Sequence, residues 1–221
     1  MTVAEIVRGL PGGDTVAHLG RRTRGEFLVD EWGLDPEMVA MADPALSLRW
    51  SIEVTGAEHL AAVGGAVLVF NRRFGISEPW VLARGIRQAS GRFVRTVGVP
   101  DISPVGPLLR RFGGVLDQTE EIAGLLRAGQ LVGLPLAHAR RVRDQAGALD
   151  VDRLEAAIAA EAPVVPVALI GREAGRRWRI VVGEPVRLVK PGPLPAVELA
   201  EATHAAVQDL LDDSVSPSWW L

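Results

Sequence analysis

Cysteine and tyrosine are absent from the 221 residues, and lysine occurs once, at Lys190. Without cysteine there is no disulfide, no thiolate metal site and no cysteine nucleophile. Without tyrosine one acid/base side chain is missing, and Schiff-base chemistry has a single candidate, set in a Pro/Gly-rich turn. Charge of one sign is lacking too. The 24 basic and 27 acidic residues leave a net charge of −3, which argues against a nucleic-acid protein working by bulk charge. Long hydrophobic runs are missing. The longest, residues 64–70 and 162–170, fall well short of the roughly 20 residues that a membrane helix needs. Residues 1–11 show no basic region followed by an apolar run, so no signal peptide is read. The histidines, His18, His59, His138 and His204, are scattered without metal-ligand spacing, and neither a metal nor a cofactor is expected. The chain reads as cytoplasmic, with peripheral contact on the inner face of the cell membrane as the most a membrane role would ask.

What is present is ordinary for a globular domain: 48% hydrophobic and 23% charged residues. A chain of this length buries roughly 70% of its unfolded surface and needs no staples. Residues 2–48 read as polar and helical, with breaks at Pro11-Gly12-Gly13 and at Asp35-Pro36. Asp35 suits a helix cap and Pro36 a first helical turn. From Trp50 the pattern changes. Residues 50–54 alternate as a half-buried strand, and 66–70 form a continuous apolar run, a strand buried on both faces. Further strands are expected at 93–99, 115–116, 131–134, 164–169 and 178–182. Helices are expected at 78–88, 104–112, 118–128, 151–160 and 197–212. The expected organisation is a helical segment over 1–48, an α/β domain over 49–213 and a tail over 214–221. Strands alternating with helices predict an α/β sandwich around a mainly parallel sheet. Its ligand belongs beyond the carboxyl ends of the strands, at the turns after Phe70, Leu116 and Leu134.

Those turns carry an ordered set of blocks. After the first buried strand comes Asn71-Arg72-Arg73-Phe74-Gly75-Ile76-Ser77. Next comes Gly113-Gly114-Val115-Leu116-Asp117-Gln118, then Leu134-Pro135-Leu136-Ala137-His138-Ala139. The last is Val165-Pro166-Val167 followed by Ile170-Gly171, with Val182-Gly183-Glu184-Pro185-Val186 beyond it. In order and spacing, residues 27–211 resemble the glycerolipid acyltransferases, the glycerol-3-phosphate and lysophosphatidate acyltransferase family. Residues 29–37 and 50–56 look like those of actinobacterial members. The resemblance implies a three-layer sandwich and a thioester donor, acyl-CoA or acyl-carrier protein.

It also marks departures. The family's first block is Asn-His-x-x-x-x-Asp, so its histidine has become Arg72 and its aspartate Ser77. The arginine of the second block has become Gln118. In the third block, Phe-Pro-Glu-Gly-Thr-Arg, the glutamate has become Leu136 and the arginine Ala139. In the family the histidine takes a proton from the acceptor hydroxyl as it attacks the thioester, and the aspartate holds the imidazole tautomer. An arginine, with a pKa above about 12, cannot take that proton. Ser77 has no charge to stabilise an imidazolium. Leu136 cannot accept a hydrogen bond, and Gln118 and Ala139 remove two cations suited to gripping a phosphate. Together these losses argue that selection for the transfer reaction has lapsed.

Several residues carry two readings. Arg72 and Arg73 either capture a phosphate or carboxylate, or Arg72 plugs the old site by pairing with Glu78 or Asp117 while Arg73 is solvated. His138 is either a loop histidine or a relocated base oriented by Glu78 or Asp117. Arg140, Arg141 and Arg143 either touch anionic head groups or form a solvated loop. Trp219-Trp220 either anchors at an interface or docks on the domain or on a partner. The glycine pairs lack the spacing of a phosphate loop, and Ser77 lacks the flanking glycines of a nucleophile elbow. The leading expectation is an acyltransferase-fold pseudoenzyme that binds a lipid, an acyl chain or a protein partner through Asn71, Arg72, Arg73, Gln118, His138 and Arg140. The alternatives are an active acyltransferase using His138, and a scaffold acting through its surface.

Overall fold

The computed structural model describes residues 29–72, 76–137, 146–187 and 194–214. The readings of residues 1–28, Arg73, His138, Arg140, Arg141, Arg143, Lys190 and the Trp219-Trp220 tail lie outside these. In chain order the elements are α1 (Pro36–Arg49), β1 (Ser51–Thr55), a 3-10 turn (Ala57–His59), β2 (Ala66–Phe70), α2 (Ser77–Ser90), β3 (Val94–Val97), α3 (Val105–Arg111), β4 (Gly114–Val115), α4 (Thr119–Arg127), β5 (Leu131–Pro135), α5 (Val151–Ala159), β6 (Val164–Gly171), β7 (Arg177–Val182) and α6 (Pro195–Ser214). From α1 onward the expected elements are present, their ends displaced by one or two residues.

The strands form one seven-stranded sheet in the order β1-β7-β6-β2-β5-β3-β4. Every neighbouring pair is parallel except β6 and β7, which pair antiparallel with Leu169 opposite Ile180. That exception follows from chain length. Residues 172–176 suffice for a hairpin turn but not for a crossover.

The period of two along each strand divides the core. Val67 and Val69 of β2 face a cluster with Ile122, Leu125, Leu154 and Val207 from α4, α5 and α6. Leu68 and Phe70 face the opposite cluster, with Val81, Leu82 and Ile86 of α2. The sheet is therefore the middle layer of a three-layer α/β sandwich. α2 lies very close to it: a Cβ on Gly85 would stand 2.4 Å from Ile180 Cδ1 and 2.9 Å from Ile52 Cγ2.

The residues ahead of β1 are tied down by polar contacts. Asp35 caps α1 by accepting from Met38 N at 2.9 Å, with Pro36 in the first turn as the sequence implied. The Asp30 carboxylate accepts from Trp32 N at 3.0 Å and Leu34 N at 2.9 Å, and it also pairs with Arg95 of β3. Arg95 is only 1% exposed. The Trp32 ring lies over α4, where a Cβ on Gly124 would meet it at 2.7 Å.

Candidate functional site

Because β2, β3 and β5 are adjacent and parallel, their carboxyl ends open on the same edge of the sheet. Two cavities lie there. An apolar one of about 250 Å³ is walled by Trp80 and Ala83 of α2, Val97 and Val99 at the end of β3, Leu109 of α3 and Phe112. A more polar one of about 320 Å³ is lined by Pro135, Leu136, Ala137, Leu149, Asp150 and Arg153. Arg72 and Gly98 line both. The turns after Phe70 and Leu134 contribute as the sequence implied. The other contribution comes from the turn after β3 rather than from the one after Leu116.

Asn71 continues β2 by side-chain means. Its Nδ2 donates to Leu169 O at 3.0 Å and its Oδ1 accepts from Leu169 N at 2.6 Å. Both polar ends of the buried amide are thus engaged on β6, and the chain leaves the sheet at a fixed angle with Arg72 next in line. Arg72 does not pair with Glu78 or Asp117. It makes no hydrogen bond or ion pair among the described residues, and its Nε is shielded from solvent without a partner. Asp117 is taken by Arg153 of α5, which also donates to Pro135 O at 3.3 Å and has Asp150 3.8 Å away. The physical reason is helix packing: α4 and α5 lie side by side and bring Arg153 to the segment leading into α4.

Leu136 is fully buried, with its N–H donating to Phe70 O at 2.9 Å. Gln118 is exposed at the start of α4 and makes no side-chain cap bond. Ser77 and Glu78, in the first turn of α2, are both buried. The Ser77 hydroxyl donates to Glu173 at 2.6 Å, and the Ser77 and Ile76 amides point at the same carboxylate at 3.3 and 3.4 Å. Glu173, from the turn between β6 and β7, therefore caps the helix that walls the apolar cavity. His59 contacts Val182 O at 3.0 Å and His204 contacts Ala146 O at 3.1 Å, and neither residue lines the two cavities. Burial pushes the Arg92 guanidinium below its ordinary value. That group holds the carbonyls of Ala61, Gly64 and Gly129 at the opposite end of the sheet.

Sequence reasoning did not find Arg153, Glu173, Gly98 or the Trp80–Phe112 pair. The last two carry no local signal, since their role comes from which strand ends meet. Among the described residues no group of three or more histidine, aspartate or glutamate side chains could hold a metal ion. None of the described helices is long and apolar enough to cross a membrane.

No family model matches the chain. An uncharacterized protein of Mycobacterium leprae (strain TN) is 28% identical over 173 residues, 70% of this chain and 47% of that protein. The chain thus spans about half the length of the curated relative it matches. Among solved structures, the 1-acyl-sn-glycerophosphate (LPA) acyltransferase of Thermotoga maritima is similar with a TM-score of 0.62 at 16% identity, over 82% of this chain and 80% of that one. The sandwich and its mainly parallel sheet therefore have an acyltransferase-like fold, built here on a largely different sequence.

Proposed function

We propose that this protein uses an acyltransferase fold to hold a lipid or acyl ligand and no longer transfers the acyl group. One observation carries the reading. Where the resemblance puts the general base, immediately beyond Asn71, stands a guanidinium that cannot accept a proton, and across the crevice the position of the family's glutamate is the buried Leu136. The aspartate position supports it. Ser77 is uncharged, and its hydroxyl is already donated to Glu173. The container remains: an apolar cavity of ligand-binding kind beside a more polar one, at the strand ends.

Acyl transfer needs a proton acceptor within hydrogen-bond reach of the attacking hydroxyl. A donor-and-acceptor screen tests the reading. Free thiol released from long-chain acyl-CoA is followed with lysophospholipids, glycerol phosphate and simple alcohols, with His138→Ala run beside the native chain. No acceptor-dependent release is expected from either protein. Turnover in the native chain that is lost in His138→Ala would refute the reading and make His138 a working base.

A further inference from the structure

The apolar and the polar cavity meet at Arg72. Among the described residues its Nε is out of solvent with no acceptor and its guanidinium has no carboxylate, while Arg84, Arg95, Arg110 and Arg153 each have one. A shielded N–H donor without an acceptor is costly, and such groups are rare unless something completes them. We infer that the crevice binds a free long-chain carboxylic acid, with its carboxylate on Arg72 and its alkyl chain in the apolar cavity. The inference rests on the reading above, that an acyl ligand is held without being transferred.

Charge selects the head group. Among the described residues that line the two cavities, Arg72 is the one cation without a carboxylate. The other, Arg153, is already neutralised by Asp117 and has Asp150 at 3.8 Å. Among these residues a doubly charged phosphate would meet one unpaired cation with the Asp150 carboxylate close by, whereas a carboxylate matches a single planar guanidinium. A thioester carries no charge at its carbonyl and gains less from Arg72 than a free acid does. The chain has a place to go. Trp80 and Phe112 meet edge to face, with ring centroids 5.1 Å apart, and both rings also border a smaller hollow of about 30 Å³ on the α1 side. They form the partition between that hollow and the apolar cavity.

The test uses the full chain, stripped of lipid, in calorimetric titrations with dodecanoic acid, its methyl ester, dodecanol and dodecyl phosphate. The acid is expected to bind at least tenfold more tightly than the ester or the alcohol, and more tightly than the phosphate. Arg72→Gln is expected to weaken the acid about 10- to 100-fold and leave the ester unchanged, with Arg72→Lys in between and all three proteins melting alike. From eight to twelve carbons, each added methylene is expected to tighten binding about fourfold. Trp80→Ala is expected to move the preferred chain to greater length. Equal binding of acid and ester, an unaffected acid in Arg72→Gln, tighter phosphate, or no binding at all would overturn the inference. Acceptor-dependent thiol release would instead overturn the reading beneath it, and the head-group comparison would still tell whether Arg72 is the clamp.

Discussion

Asp30→Asn should cost this protein about 3 kcal/mol of stability. The substitution keeps an oxygen for Trp32 N and Leu34 N, which hold the turn at 3.0 and 2.9 Å. It removes the charge facing Arg95, whose other side-chain hydrogen bond among the described residues is a long contact of 3.3 Å from Nε to Gln130. Arg95 is 1% exposed and the Asp30 side chain 34%, so the guanidinium is left buried and uncompensated. Breaking a buried pair from one side costs about 3–5 kcal/mol, and the half-open carboxylate puts this case at the lower end. Asp30→Ala also loses the two turn bonds, at about 1 kcal/mol each, and should reach about 5 kcal/mol. In a domain of this size, 3 kcal/mol lowers Tm by about 6–12 °C. Urea unfolding of Asp30→Asn, Arg95→Met and the double variant gives the coupling between them. The double variant should be close to the native protein or better, because no buried charge remains. A cost below about 0.5 kcal/mol for Asp30→Asn, or strictly additive losses, would refute the reasoning.

Two further predictions follow from the wall of the crevice. Glu173→Ala removes the acceptor for Ser77 Oγ and for the Ser77 and Ile76 amides, and should cost about 2 kcal/mol. Glu173→Gln should cost about half of that, and equal urea midpoints for all three proteins would show that the cap contributes nothing. Gly85→Ala should destabilise by about 1 kcal/mol, because crowding against Ile180 and Ile52 outweighs the roughly 1 kcal/mol gain in helix propensity. A rise in melting temperature would mean that α2 has room to move off the sheet.

The apolar runs at 66–70, 131–134 and 164–169 made the sheet legible, since only a strand covered on both faces uses so many branched side chains without interruption. Asp35-Pro36 likewise announced α1 through local geometry alone. What stayed hidden is non-local. The strand expected at 93–99 gives no local sign that Arg95 is buried, which it is because Asp30, 65 residues earlier, comes back to meet it. Of the two partners the sequence offers for Arg72, Asp117 is taken by Arg153, which is 36 residues away and arrives on a separate helix. Glu173 sits 96 residues from Ser77, whose cap it provides. The motif order located the crevice; the pairing of charges around it depended on which elements pack side by side.

The sheet order has a consequence in time. Among the described strands β1 pairs with β7 alone, and Ser51 lies opposite Arg177. Arg49, at the end of α1, likewise reaches the carbonyls of Glu173 and Gly175. On a ribosome adding about 5–20 residues each second, the roughly 126 residues between those strands take on the order of 6–25 s to appear. For that interval β1 has no edge to join, although β2, β3 and β5 are already synthesised. β1 therefore docks late relative to the strands made just after it, and it waits for a hairpin synthesised roughly 126 residues further on.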